Sequence, residues 1–185
     1  MVRPVLLDSS VLFPNVLRDT LLTLAEHDLF EPQWSTEILA EVRRNVIARR
    51  SVPESAIDRT LALMSATFEY ATVEGWEPLV DQLHLPDLDD RHVLAAAIAG
   101  GAGTIVTANL RHFPVASLRP HRVVPVSPDQ FLQDLLSTDP DTVLAALDRQ
   151  VGRYRRPPMD LGGLLIRLGR AGAPEFAKRV ADISG

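Results

Sequence analysis

Val5-Leu6-Leu7-Asp8 is a short apolar run that ends on a carboxylate. Val2 to Leu7 reads as a short apolar strand, unbroken over Val5–Leu7, as expected for a strand buried on both faces of a parallel sheet. Downstream, Val16 to Ala25 has the apolar spacing of an amphipathic helix, and Leu29 to Trp34 reads as a second strand despite Pro32. Ser35 is a natural N-cap for a helix through about Arg50, with Ile38, Leu39, Val42 and Val46 on its apolar side. Pro53 opens another helix to about Phe68, and Tyr70 to Val73 suits a third strand. Asp87 caps a helix that stops at Gly100-Gly101, and Thr104–Thr107 and Arg122–Val126 read as further strands. Ser127-Pro128-Asp129-Gln130 is a helix start, with Gln130 at the reciprocal capping position. Strands alternating with helices imply an α/β fold with a mainly parallel sheet flanked by helices. Helices from Asp139-Pro140 to about Tyr154, Asp160 to Arg170 and Pro174 to Ile183 add no strand, and form a C-terminal helical extension.

At 185 residues, 46% hydrophobic and 23% charged, the chain suits one soluble domain with an appendage. The longest apolar run, Val93 to Ala99, is far short of the roughly 20 residues that span a bilayer. The N-terminus has no secretory signal pattern, and cysteine is absent, which removes disulfides and thiolate zinc sites and fits the cytoplasm. The net charge of −5 lies in residues 1–127, whereas the remainder balances to zero. A broad nucleic-acid-binding surface is therefore not expected, and any phosphate contact must come from local arginine clusters.

In parallel α/β sheets, ligands bind beyond the carboxyl ends of the strands, which is where Asp8 falls. Asp8 equally suits a cap on the following turn. Glu41 lies on a helix face with Ile38 and Asn45, one turn from the like charge of Glu37, an unfavourable spacing without a nearby cation. Asp87, Asp89 and Asp90 crowd a helix start; three acids exceed what capping needs, and Asp87 and Asp90, three apart, share a face. Asn109 and Thr107 follow an apolar strand, and Asn109 has a neutral oxygen to offer, while Ser10 is placed to support Asp8. Gathering carboxylates is costly unless a cation holds them, and all-oxygen sets favour Mg²⁺ or Mn²⁺, ions that chiefly handle phosphates. No paired histidines occur at metal-ligand spacing, and His92 and His112 are expected at the surface or in packing.

Four segments carry a resemblance in order and spacing: Asp8-Ser9-Ser10-Val11-Leu12, Ser35-Thr36-Glu37-Ile38-Leu39-Ala40-Glu41-Val42, Pro86-Asp87-Leu88-Asp89-Asp90-Arg91-His92-Val93-Leu94-Ala95-Ala96-Ala97 and Val106-Thr107-Ala108-Asn109-Leu110-Arg111-His112-Phe113. Together they resemble PIN domains, and with the C-terminal helices the chain is similar to VapC-type toxins. The resemblance implies a PIN-like nuclease domain over residues 1–136 and a helical extension over 137–185. It implies Mg²⁺- or Mn²⁺-dependent endoribonuclease activity, an RNA substrate, a cognate VapB-type antitoxin and a homodimer. By position, Asp8, Glu41 and Asp90 match the acidic core, and Asp87 is a further member. Asn109 stands where many relatives have Asp, which puts a second metal position in doubt, and His112 stands where they often have Asp before Phe. Arg43, Arg44, Arg49 and Arg50, and Arg153, Arg155 and Arg156, are candidates for phosphate contact or for a solvated face; Tyr154 suits base stacking or packing of the tail. Two other classes fit parts of the pattern. Phosphotransfer at Asp8 leaves Glu41, Asp87 and Asp90 without a task, and a catalytically silent PIN-like RNA- or protein-binding module would follow if Asn109 disables the site.

Overall fold

The computed structural model describes residues 2–49 and 52–184. Strand β1 (Pro4–Leu7) is followed by a single-turn helix α1 (Ser9–Leu12), helix α2 (Asn15–Glu26) and strand β2 (Glu31–Gln33). Helices α3 (Thr36–Arg49), α4 (Glu54–Thr67) and α5 (Arg91–Ala99) lead to β3 (Thr104–Val106). A short helix α6 (Val115–Leu118) precedes β4 (Val124–Val126), and α7 (Pro128–Thr138), α8 (Pro140–Arg153), α9 (Leu161–Arg170) and α10 (Pro174–Ser184) complete the chain. Short 3₁₀ turns lie at Glu77–Gln82, Leu110–His112 and Arg119–His121.

The sheet order is β2-β1-β3-β4, with every pair parallel. Leu6 sits between Gln33 of β2 and Ile105 of β3, so the apolar run that opens the chain is an inner strand. Of the three strand prolines, Pro4 is the first residue of β1, and Pro32 and Pro125 lie on the two edge strands, where a missing ladder N–H is tolerated. From β1 the chain passes to β2 on one side, and from β2 it crosses back to β3 on the other. That reversal opens a crevice at the carboxyl ends of β1 and β3, and the residues that emerge there are Asp8 and Thr107.

Helix α5 packs against β1 and β3, with His92 to Ala97 all buried. Ser35 caps α3, its hydroxyl accepting from Ile38 N–H at 3.2 Å, and Ser127 caps α7, accepting from Gln130 at 3.2 Å. Gln130 does not reciprocate; its amide donates to Asp134 at 2.8 Å. The segment Tyr70–Val73 forms no full strand, only a parallel bridge between Thr72 and Trp34. Helix α5 starts at Arg91, later than Asp87, because the Asp87 carboxylate accepts from Asp89 N–H at 3.0 Å and closes a separate turn first. Arg50, where the sequence places the end of α3, lies outside the described residues.

The three C-terminal helices after α7 are not a free tail. Helix α8 packs along α2, and α10 packs on α9 and α7. Gln150 is wholly buried at the first of these contacts, accepting from Thr20 Oγ1 at 2.9 Å and donating to Asp19 at 3.3 Å.

Candidate metal centre

Asp8 extends the β1 ladder by one residue, donating its N–H to Val106 O at 3.1 Å, and its C=O starts α1 by accepting from Val11 at 3.1 Å. Its carboxylate makes no capping bond, so the turn-cap alternative fails. The side chain, 2% exposed, accepts from Ser10 Oγ at 2.6 Å and Thr107 Oγ1 at 2.7 Å, and from Ser9 Oγ at 3.4 Å. Backbone amides set the direction of two of these hydroxyls: Ala108 N–H donates to Ser10 Oγ and Asn109 N–H to Thr107 Oγ1, both at 3.0 Å. With lone pairs so occupied, each hydroxyl hydrogen is free to point at Asp8. Ser10, Thr107 and Asn109 thus form one cradle for Asp8, Asn109 entering it through its backbone.

Asp90 occupies the N-cap position of α5 yet also makes no side-chain cap bond. It faces His112, whose Nδ1 lies 2.6 Å from Asp90 Oδ2 and 3.7 Å from Asp87 Oδ2. Asp87, Asp90 and His112 offer ligand atoms that all lie within 4.8 Å of one another. Asp90's carboxyl pKa is raised, chiefly by burial and further by the charges of Asp8 and Asp87, against the pull of His112. Asp89 is exposed and stands apart.

On the neighbouring side, Glu41 of α3 meets His92 of α5, Oε1 to Nε2, at 3.0 Å. Burial works to raise the Glu41 pKa, but hydrogen bonds from His92 and Ser9 and the charges of His92 and Arg44 outweigh it, so the net shift is downward. The imidazole of His92 shifts upward: burial opposes its charge, and the Glu41 contact with the charges of Glu41, Glu37 and Asp8 prevails. Asp8 therefore lies close enough to act on both Asp90 and His92. The cation that the Glu37–Glu41 spacing asks for is Arg44, 3.1 Å from Glu37 and 3.9 Å from Glu41.

Two residues expected in packing or at the surface are in fact part of this crevice, His92 and His112. His92 is packed, its ring tilted against Trp76 at 5.9 Å, but its other edge grips Glu41. The available signal was positional: His92 follows Asp90 by two residues, and His112 follows the end of β3 at the sheet edge already occupied by Asp8. The arginine candidates are largely engaged. Arg43 pairs with Asp58 at 2.6 Å and Glu54 at 2.8 Å, Arg153 pairs with Glu26, and Arg49 lies over the Phe13 ring.

The donor set fits a divalent cation. A shared positive charge would stabilise the Asp90 carboxylate against the burial and the charges of Asp8 and Asp87 that raise its proton affinity, and Asp87, Asp90 and His112 lie within the span of one coordination sphere.

Comparison with known families agrees with this geometry. Residues 4–111 match the family model described as "PIN domain". The chain belongs to the PIN domain family. The helical end of this PIN protein, residues 128–182, matches a second model, "VapC50 C-terminal domain". A relative described as "Putative ribonuclease VapC50", from Mycobacterium tuberculosis (strain ATCC 25618 / H37Rv), is 41% identical over 90 residues, which cover 49% of this chain and 53% of the relative. The match thus spans about half the length of that relative. No solved structure matches the chain. No helix among the described residues is long and apolar enough to cross a membrane.

Proposed function

We propose that this PIN protein is a divalent-metal-dependent endoribonuclease, the toxin of a VapBC-type pair, restrained by a VapB-type antitoxin and acting in the cytoplasm as a homodimer. The observation that carries the reading is the crowding at Asp90, where burial and the charges of Asp8 and Asp87 favour protonation unless a cation is shared. The relative described as a putative ribonuclease supports the same activity. Residues 1–136 are read as the nuclease unit and 137–185 as its extension.

A Mg²⁺ or Mn²⁺ ion, when bound, supplies Lewis-acid polarisation of the scissile phosphate and acidifies an attacking water. Asp87 and Asp90 would hold it, with Asp8 beside them. Ser10 and Thr107 fix the Asp8 carboxylate so that it need not reorganise on binding. Glu41, held through Oε1 by His92, retains acceptor capacity for the proton of the attacking water. Arg155 and Arg156 are the exposed tail candidates for RNA phosphates; Arg43, Arg44 and Arg153 must first exchange carboxylate partners. Phosphotransfer at Asp8 is disfavoured, because a side chain only 2% exposed beneath two hydroxyls is poorly placed for in-line attack.

Asp8→Asn and Asp90→Asn are each expected to abolish RNA cleavage by the purified protein while leaving its thermal melt cooperative. Full cleavage by either variant, or undiminished wild-type cleavage in excess EDTA, overturns the assignment.

A further inference from the structure

We propose that His112 is a nitrogen ligand of the metal centre and that it tunes the centre toward Mn²⁺ and away from Mg²⁺. This rests on the reading of the crevice as a metal centre and concerns which ion it selects. His112 is held rigidly: its N–H donates to Asn109 O at 2.9 Å, and the next residue, Phe113, is buried and donates to Leu110 O at 3.1 Å. The ring edge so presented is Nδ1, 2.6 Å from Asp90 Oδ2 and 3.7 Å from Asp87 Oδ2. Around an ion with bonds of about 2.1 Å, adjacent ligand atoms lie about 3 Å apart and opposite ones about 4.2 Å apart. The observed 2.6 and 3.7 Å bracket the separation of adjacent ligand atoms.

In the hydrogen-bonded arrangement, the proton on Nδ1 takes the place of the cation. Arg111 Nε–H donates to His112 Nε2 at 3.1 Å, which makes Nε2 the acceptor and leaves Nδ1–H pointing at Asp90. Ligation needs the Nδ1 lone pair, so the ring takes up its other tautomer, with the proton on Nε2. Arg111, an exposed side chain, then releases the ring. The ring's net proton count is unchanged.

The chemistry of the donor decides the ion. Mg²⁺ demands near-octahedral oxygen ligation and gives up water reluctantly, whereas an imidazole nitrogen suits first-row transition ions. Two carboxylates beside one imidazole match Mn²⁺, which accepts both donor types. Asp at this position would give an all-oxygen set, and His112 replaces one oxygen ligand with nitrogen.

The test titrates chelator-treated full-length protein with Mn²⁺ alone and with Mg²⁺ alone, and records pulsed EPR of the Mn²⁺-loaded wild type, His112→Asn and Asp90→Asn. The expected result is imidazole nitrogen coupling to Mn²⁺ in the wild type and none in His112→Asn, with the Mn²⁺-over-Mg²⁺ affinity ratio falling about tenfold or more. Mn²⁺ bound to the wild type without nitrogen coupling, and weakened by Asp90→Asn, overturns the role of His112 and leaves the metal centre standing. Mn²⁺ binding that is absent, or indifferent to Asp90→Asn, removes the centre itself and the proposal with it. The wild-type spectrum decides the matter even if His112→Asn fails to fold.

Discussion

His92 and Glu41 show how two mostly buried titratable side chains make each other tolerable. Burial disfavours the charge on each, yet Glu41 shifts down and His92 up, because the contact between them outweighs the lost hydration. The lowered carboxylate contributes stability above its ordinary value of 4.5, lost as pH falls through its folded value. The raised imidazole contributes below its ordinary value of 6.5, lost as pH rises through its folded value. The pair therefore stabilises most between those two ordinary values. His92→Phe, studied in EDTA, should raise the Glu41 midpoint in a carbon-13 carboxyl titration and cost about 1–3 kcal/mol near pH 6, because Glu41 loses the larger of its two donors and keeps only Ser9. His92→Gln should return part of that stability through its amide. An unmoved Glu41 midpoint in His92→Phe would show that the contact does not set the carboxylate's charge. A strand end placed Asp8 and a helix start placed Asp87 and Asp90, whereas Glu41 stands mid-helix and was marked only by the like charge of Glu37 one turn away. The histidines were not legible from sequence, since their partners lie 51 and 22 positions away and only the folded chain joins them.

Helix α5 illustrates what a local pattern determines at the scale of an element and what it leaves open. Its end was legible: Ala102 N–H bonds Ala97 O at 2.9 Å and Gly101 N–H bonds Ile98 O at 3.2 Å, with Gly101 at φ +66, the paired closure a glycine stop provides. Gly100 has a second duty that no local rule reveals. A Cβ there would lie 2.3 Å from Gln33 Oε1 and 2.8 Å from Val73 Cγ2. Gln33 cannot easily yield, since it is buried and its amide donates to Gly100 O at 3.0 Å. Gly100→Ala should therefore destabilise by about 1–3 kcal/mol, as overpacking does, despite alanine's better helix propensity. A denaturation midpoint at or above wild type would show that Gln33 moves aside freely. The start of α5 was read too early for a related reason: several acids in a row fit several caps, and the Asp87–Asp89 turn settles the choice. The single turn of α1, too short to carry a periodic signal, passed unseen.

Across the whole molecule, the C-terminal helices buttress the core through α2, the helix that follows Asp8 and α1. The tail's place on the core was one of two readings the sequence allowed for Tyr154, and the structure puts its hydroxyl on Asp19, with Gln150 Nε2 donating to that hydroxyl at 3.1 Å. Burial first, then donation to Asp19 and the Asp19 charge, push the phenol pKa from 10.0 up to about 12, with Gln150 and Arg167 pulling the other way. A group raised in the folded state contributes stability that is complete below its unfolded pKa and is lost as pH rises through the folded value. For Tyr154 the loss falls between 10.0 and about 12. The chain has only two tyrosines and a single lysine, so few side chains of the kinds that ionise in alkali compete with this signal. Tyr154→Phe should cost about 0.5–1.5 kcal/mol at pH 8 through the missing hydrogen bond, and the difference from wild type should shrink as pH approaches 12. Urea titrations of both proteins at successive alkaline pH values measure this directly. A constant gap would mean that the phenol ionises as easily in the folded chain as in the unfolded one, and that α8 is held to α2 by Gln150 and apolar packing without help from that proton.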